Sequence, residues 1–560
     1  MSEYRAALQK RDLRLLFGGM VISATGTWAY NVALLAYVFD KTHSLGWVGA
    51  AGLARFIPSL LLSPYAGVIA ERFERVRVMV ASDLLCVVFQ ALLAIVALAD
   101  GPPGLVVFIA ALSAIANLPY NPAVAAMIPQ IADEDELAAA NALNGTIENL
   151  TVITGPAIGA GLLALGSPST VFAINAVSFL LSAVIVARMK VRSRPVDVTE
   201  SGEAGVMEQM LVGVRTIVHS PSARVPVAFC GLVSFVYGAD TVLFIGVSDT
   251  KLDTGAEGFG YLLTGLGVGG VLATVFVNRI AASSRLAVAI TVGAVVYCVP
   301  TALLTVIHSP ETAFAVQIVR GGATLVVDVL AITALQRAVP PATLARVFGV
   351  FFAFFLGAIA LGTLVTPPIV NAFGLDAALL IMAFVPAALA LLGYPALARL
   401  DQTAAARLAE LAPRIAILER LGIFAAAPQS VLERLAAACQ PVEFAPGTAI
   451  VREGEPADAL YVVLEGSVGV TAHGETGGEE RLRTMGPDTY FGEIGLLERI
   501  PRTATVTAEA LTRCYRIDGD EFLEALTTTP PAASMLEGAR ARLATSHPSR
   551  RLTYEGEAVA

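Results

Sequence analysis

Charge is what this sequence most lacks. Only 15% of its 560 residues are Asp, Glu, Lys or Arg and 56% are hydrophobic, whereas an ordinary soluble domain is about 25% charged. A uniformly soluble chain is excluded. The shortage is local: residues 401–560 hold 23 acids and 15 arginines, a net of −8, and residues 1–400 are near neutral at −1. The first part is lipid-soluble material; the second is an ordinary acidic domain. Cysteine is also sparse. Cys86, Cys230, Cys298, Cys439 and Cys514 stand singly, with no CxxC or His/Cys cluster, so neither a disulfide framework nor a metal site is expected. They read as small buried hydrophobes. No nucleophile–base constellation appears, so an enzyme is not expected. No A-x-A site follows the first apolar run, so no cleavable leader is expected.

What is abundant is long apolar runs. About 20 such residues span a bilayer as a helix, and twelve runs qualify: 15–39, 46–69, 77–99, 104–128, 138–164, 168–188, 224–248, 257–281, 286–308, 311–336, 346–370 and 375–398. The loops alternate in charge. One set carries Arg5, Lys10, Arg11, Arg14, Arg72, Arg75, Arg77, Arg188, Lys190, Arg192, Arg194, Arg279, Arg285, Arg337 and Arg346; the other carries only Lys41 and Lys251. Positive charge stays on the cytoplasmic side, so both termini are expected in the cytoplasm and the protein in the inner (plasma) membrane. The chain also repeats at an offset of 207 residues: Met127–Leu137 resembles Ala334–Leu344, and Glu71-Arg72 aligns with Asn278-Arg279. The repeat predicts two parallel six-helix halves separated by a long loop near 189–223.

Two motifs carry a resemblance. Gly67-x3-Glu71-Arg72-x-x-Arg75 lies between the second and third runs, and Gly145-x9-Gly155-Pro156-x-x-Gly159 lies in the fifth. The first resembles the helix 2–3 loop of the major facilitator superfamily, with Glu71 in place of Asp and Glu74 in place of Gly. The second resembles the antiporter motif of that family's proton-coupled exporters, with Thr151 where a middle Gly is usual. Residues 1–400 thus resemble a major facilitator transporter of the bacterial multidrug and siderophore exporter kind. The resemblance implies a gating latch at Gly67, Glu71, Arg72 and Arg75, and a kinkable helix at Gly155, Pro156 and Gly159. Positive-inside anchoring and a small-residue packing face are the plainer readings of the same residues.

Ionisable residues at bilayer depth are costly and normally face a cavity or a partner. The candidates for proton or substrate coupling are Arg55, Asp83, Glu148, Asp240, Arg320 and Asp328. Glu148 falls near mid-membrane as a proton carrier, with Asp240 second. Arg320 and Asp328, eight apart, share a helix face and could bind a charged substrate or gate the cavity. Buried ion pairs fixing helix packing are the alternative. The resembled exporters carry an Arg in helix 4; here Leu112–Pro122 has none, so another cation substitutes or the coupling differs. Trp28, Asn31, Tyr120 and Asn121 are expected to line a largely apolar cavity.

Beyond residue 400 the pattern changes. Leu408, Leu411, Ile415, Leu418 and Leu421 recur at helical spacing, and a short helix is expected over 428–438. Then a period of two sets in: Leu460-x-Val462-x-Leu464, Val468-x-Val470, Ala504-x-Val506-x-Ala508 and Tyr515-x-Ile517, with Gly447, Gly454, Gly466, Gly474 and Gly486 at turns. This reads as a β-roll. Between its strands lies Phe491-Gly-Glu-Ile-Gly-Leu-Leu497, followed by Pro501-Arg-Thr-Ala-Thr-Val506. The stretch resembles the phosphate-binding cassette of cyclic-nucleotide-binding domains over about 418–530. The resemblance implies a site of Gly492, Glu493, Ile494, Gly495, Arg502 and Thr503. A helix N-terminus favours anions, an Arg fork suits phosphate oxygens, and Glu493 would accept the ribose 2′-hydroxyl. Leu536, Arg540 and Leu543, on a helix at 531–545, would cap the base. The alternative is a degenerate roll that binds nothing.

The expected fold is an all-α membrane domain of twelve helices plus a C-terminal cytoplasmic β-roll with flanking helices. The expected boundaries are 1–400 (halves 1–190 and 220–400), a linker helix 401–420, a nucleotide domain 421–545 and a flexible tail 546–560. The expected function is secondary export of small amphipathic molecules coupled to protons, regulated by cAMP ahead of cGMP, with no covalent cofactor and no metal. A non-transporting membrane sensor or adaptor, or a lipid or lysophospholipid carrier, are the alternatives. Nucleic acid is not an expected partner, since no helix-turn-helix follows the roll and residues 401–560 are acidic.

Overall fold

A computed structural model describes residues 8–133, 136–192, 206–255, 258–281, 285–339, 341–421, 423–424, 427, 429–473 and 479–527. The chain divides into two compact units, Met1–Asp401 and Gln402–Ala560.

Among the described residues of the first unit, twelve helical stretches are long and apolar enough to cross a membrane. In chain order the helices are α1 (Arg11–Thr42), α2 (Leu45–Arg72), α3 (Arg75–Leu98), α4 (Pro103–Asn117), α5 (Tyr120–Ile131), α6 (Leu137–Leu165), α7 (Pro168–Ala187), α8 (Val206–His219), α9 (Pro221–Thr250), α10 (Gly258–Ala281), α11 (Leu286–Cys298), α12 (Pro310–Ala338), α13 (Pro341–Phe373) and α14 (Leu375–Arg420). Helices satisfy every backbone group internally, as lipid requires. The fourth apolar run is two helices, because Pro119 lacks the N–H that would carry the ladder through Leu118. The ninth tightens into a 3₁₀ turn at Val299–Thr305, which holds Pro300.

The stretch expected as a loop at 189–223 contains α8 instead. Met207, Met210, Leu211, Val214, Ile217 and Val218 recur at helical spacing, and Gly213 packs so closely on α13 that a Cβ there would sit 2.6 Å from the Arg346 carbonyl oxygen. Glu74, which departs from the resembled loop motif, caps α3: its carboxylate accepts from the N–H groups of Val76 (3.0 Å) and Arg77 (3.1 Å).

The cores reveal how the two halves meet. At the end nearer the termini each half has its own core. Leu13, Phe17, Met79, Tyr120, Met127 and Val186 fill the first; Ile217, Val227, Leu335, Val347 and Phe351 fill the second. A further core takes residues from both halves, including Val32–Phe39 of α1 and Val242–Ile245 of α9, and in the second half it runs on to Val277, Ala287 and Leu397. Small residues let the halves touch there. A Cβ on Gly49 would lie 3.2 Å from the Thr363 carbonyl oxygen, and one on Gly260 would lie 2.8 Å from Val32 and 3.0 Å from the Pro156 carbonyl oxygen. These close approaches between the halves lie toward the Thr42 end of α1.

The second unit places α15 (Gln429–Ala438) before eight strands: β1 (Gln440–Phe444), β2 (Ala449–Val451), β3 (Ala459–Glu465), β4 (Val468–His473), β5 (Glu479–Met485), β6 (Thr489–Phe491), β7 (Thr505–Ala508) and β8 (Thr512–Asp518). The helix α16 (Glu493–Leu497) interrupts them and α17 (Gly519–Thr527) follows. Two antiparallel sheets, ordered β1-β8-β3-β6 and β2-β7-β4-β5, make the roll. Val451, Tyr461, Val463, Val470, Phe491 and Val506 fill its interior. Leu411, Ile415, Leu418, Leu435 and Phe522 pack its helices against Leu460, Val462 and Ile517 on the outer face of one sheet. The proposed capping residues Leu536, Arg540 and Leu543, and the tail, lie outside the described residues.

Candidate functional sites

In the roll, β6 ends at Phe491, whose ring stacks on Tyr461 with centroids 5.2 Å apart. The chain then turns through Gly492 at φ +94°, a left-handed conformation suited to glycine. A Cβ there would also meet Arg502 Nη1 at 2.6 Å and the Ala459 carbonyl oxygen at 2.9 Å. The turn starts α16, so Glu493, Ile494 and Gly495 form its first turn, where backbone N–H groups lack intrahelical acceptors. Gly495 abuts the chain too; a Cβ would sit 3.0 Å from the Ile500 carbonyl oxygen.

Arg502 is buried and fixed on three sides. Nη1 donates to the Gly492 carbonyl (2.9 Å), and Nη2 donates to the Ala459 carbonyl (2.8 Å) and to Asp458 Oδ1 (2.8 Å). Its own backbone is pinned to the 452–455 turn through Glu455 and Gly454. Asp458 also takes Arg516 Nη2 at 3.0 Å. Partial burial raises the Asp458 carboxyl, but the bonds from Arg516 and Arg502 outweigh it and hold the group below its ordinary range. Glu493 is buried, 1% exposed, and its Oε1 has no hydrogen-bond partner. Burial holds its carboxyl above the ordinary value, against the pull of its own backbone N–H and of Arg483 and Arg502. Ile494 and Thr503 are half-buried beside these groups. The arrangement brings a cation, helix N–H donors and an unsatisfied carboxylate oxygen together, a set that matches a phosphate next to a hydroxyl. Asp458 carries no sequence signal; it lies 44 residues before Arg502 and reaches it only because β3 borders β6.

In the membrane unit the candidates separate. Asp240 on α9 and Arg320 on α12 form one buried cluster. Arg320 Nη2 donates to Asp240 Oδ2 at 2.7 Å with side chains 0% and 3% exposed. Tyr297 Oη donates to the same oxygen at 2.9 Å, Arg320 Nε donates to the Tyr297 carbonyl and Nη1 to Gln317 Oε1, both at 2.8 Å. Asp240 thus occupies Arg320, while Asp328, on the same helix as Arg320, is half-buried and accepts from the Cys230 thiol at 3.3 Å. The 207-residue offset aligns Arg320 with Ser113 and Tyr297 with Gln90, and Gln90 Nε2 donates to Ser113 Oγ at 3.2 Å. The same two positions make a neutral contact in one half and a charged one in the other.

Asp83 is fully buried with neither oxygen hydrogen-bonded; Tyr120 and Ser182 share a 3.4 Å hydroxyl contact. Glu148 is exposed on α6 and accepts from Asn144 Nδ2 at 3.2 Å. Arg55 is half-buried, its guanidinium 5.8 Å from the Trp28 ring and 5.4 Å from the Phe56 ring. Gly155 and Gly159 sit flush on α1; a Cβ on Gly159 would lie 2.7 Å from the Ala29 carbonyl oxygen. Pro156 lies between them inside α6, so the motif is the seat of α1 and α10. Gly67 and Glu71 end α2, where Arg72 is exposed; Arg75 is buried in the first turn of α3. Asn31 and Tyr120 are buried and Asn121 is exposed.

The model of one family, described as transmembrane secretion effector, matches residues 2–418. A second, described as cyclic nucleotide-binding domain, matches residues 441–529. The chain is similar to a CRP-like cAMP-activated global transcriptional regulator of Mycobacterium tuberculosis, 33% identical over 120 residues, 21% of this chain and 54% of the relative. It is similar to a cAMP-dependent protein kinase regulatory subunit of Dictyostelium discoideum, 42% identical over 91 residues, 16% of this chain and 28% of the relative. It is also similar to macrolide efflux protein A of Streptococcus pyogenes, 22% identical over 230 residues, 41% of this chain and 56% of the relative. The chain spans about half the length of the first and third and less of the second.

Proposed function

The chain belongs to the transmembrane secretion effector family of major facilitator transporters, with a cyclic nucleotide-binding domain after its membrane unit, and from that membership we propose a secondary exporter regulated by cyclic nucleotide. It moves small amphipathic molecules out of the cytoplasm, coupled to protons, with both termini cytoplasmic. cAMP is the preferred regulator, ahead of cGMP. The observation that carries the regulatory reading is the cassette, where buried Arg502 and the unsatisfied carboxylate of Glu493 flank the first turn of α16.

The cyclic phosphate is assigned to Arg502 and the N–H groups of Glu493, Ile494 and Gly495, with Thr503 beside it; the ribose hydroxyl is assigned to Glu493. Binding there competes with Asp458 for Arg502. Regulation requires the nucleotide to favour one transporter state over the other. The proposed link is α14, a single helix over Leu375–Arg420 whose Leu411, Ile415 and Leu418 belong to the core of the nucleotide unit. Glu148 is the proposed proton carrier, as a carboxylate placed within the membrane-spanning α6. Asp240 serves only if Arg320 releases it.

The test is calorimetric titration of the purified full-length protein with cAMP and cGMP, followed by transport in proteoliposomes with and without the ligand that binds. Micromolar binding and a changed transport rate support the reading. Binding without any transport would favour a membrane sensor; no binding of either nucleotide would refute the regulatory site.

A further inference from the structure

We propose that Arg55, with Trp28, Phe56 and Tyr30 around it, forms a recognition site for an organic anion with a flat apolar body. The proposal rests on the transporter reading above and names its substrate class. Arg55 lies on α2 about 15 Å in from the Leu45 end of the helix, which joins the shared core through Val48 and Ala51. Its neighbours change character at that depth. On α1, Trp28 is half-buried and everything from Ala29 to Phe39 is buried, so Trp28 borders the shared core.

The guanidinium faces two rings, Trp28 and Phe56. Among the described residues it forms no ion pair, and the ionisable groups within its electrostatic reach are the phenols of Tyr30 and Tyr237. Those tyrosines are equivalent positions under the 207-residue offset, so each half contributes one. The Tyr30 hydroxyl is buried without a hydrogen-bond partner. Asp240 lies in reach of Tyr237, but it already accepts from Arg320 and Tyr297. Asp328 belongs elsewhere, against Cys230 in the near-end core of the second half.

A guanidinium at this depth without a counter-ion is unfavourable, and ring faces compensate it only in part. A latch between the halves would supply an acid across the seam, and none reaches Arg55 among the described residues. The surroundings are N–H and O–H donors, complementary to the oxygens of a sulfonate, carboxylate or phosphate ester. The rings offer a face for an aromatic or similarly flat body. An organic cation would meet Arg55 as a like charge.

The chain has two tryptophans, Trp28 and Trp47, so Trp47→Phe leaves Trp28 as the sole emitter beside Arg55. The full-length protein in detergent is titrated with 5-(dimethylamino)naphthalene-1-sulfonate and with the neutral sulfonamide of the same ring, following energy transfer from Trp28. The expected result is sulfonate binding about tenfold or more tighter than the sulfonamide. Arg55→Gln erases the difference and Arg55→Lys keeps part of it, at a melting temperature no lower than the parent's. Equal affinities in the parent protein, or a preference that survives Arg55→Gln, would overturn the site. Proteoliposome uptake of the sulfonate separates the two readings. Charge-selective binding without uptake keeps the site and refutes the transporter; uptake indifferent to Arg55→Gln keeps the transporter and refutes the site.

Discussion

Replacing Arg502 by Lys tests the cassette with the least collateral damage. The guanidinium reaches Gly492 through one nitrogen and Ala459 and Asp458 through the other. A lysine ammonium keeps the charge but is a single point and cannot hold both sides of that fork. Bonds to charged groups contribute about 1.5–3 kcal/mol each, so losing one in the complex lowers affinity about ten- to a hundredfold, at 1.4 kcal/mol per decade. The fold loses less, because Asp458 retains Arg516, and the melting temperature is expected to drop by about 5 °C. Arg502→Ala is harsher. It leaves the buried Ala459 carbonyl and the half-buried Gly492 carbonyl without these donors, up to about 1–3 kcal/mol each, and so confounds binding with stability. Calorimetry with cAMP on the full-length protein, paired with a melting curve, reads both effects. Affinity within twofold of the parent, with the melt preserved, would show that the phosphate does not rest on Arg502.

Glu493→Gln should abolish the preference for cAMP over 2′-deoxy-cAMP, measured by competition. Its pH signature has a definite sign. Burial holds the folded Glu493 carboxyl above its ordinary 4.5, so the stability it allows is complete below that value and is lost as pH rises through the folded one; the Gln variant should melt higher at neutral pH, with the advantage gone by pH 4. Gly492→Ala must hold a side chain at φ +94° against Arg502, which costs about 1–3 kcal/mol and should weaken cAMP binding in the same titration. Asp240→Asn leaves Arg320 buried and unpaired, a loss of about 3–5 kcal/mol that an Asp240→Leu/Arg320→Leu double variant should largely restore, as read by melting in detergent. Glu148→Gln should abolish pH-driven transport in proteoliposomes while leaving substrate binding intact; undiminished transport would move the proton elsewhere.

What the sequence made legible follows from how local each signal is. The apolar runs were readable because bilayer thickness fixes their length, but the break at Leu118-Pro119 and the amphipathic α8 were not, since neither alters average hydropathy. In the roll, the four strands found by alternation, β3, β4, β7 and β8, are the inner strands of the two sheets. The four without that signal, β1, β2, β5 and β6, are the edges, where one-sided pairing and greater exposure relax the pattern. Gly492, Glu493 and Arg502 were legible because eleven residues contain them all. Asp458 was not, and neither was the Asp240–Arg320 pair, whose members are 80 residues apart and meet only through packing. Helical spacing put Arg320 and Asp328 on one face, but the neighbouring helix supplied a closer acid.

The core shared by the two halves has a thermal consequence. If the halves part there to release cargo, the side chains of Val32, Leu34, Val242 and Leu243 meet water, and wetting apolar surface raises heat capacity. The balance between the two orientations then bends with temperature, and cooling, which weakens apolar association, shifts it toward release. A turnover that follows this balance gives a curved Arrhenius plot even when each chemical step is simple, with the curvature proportional to the area that unzips.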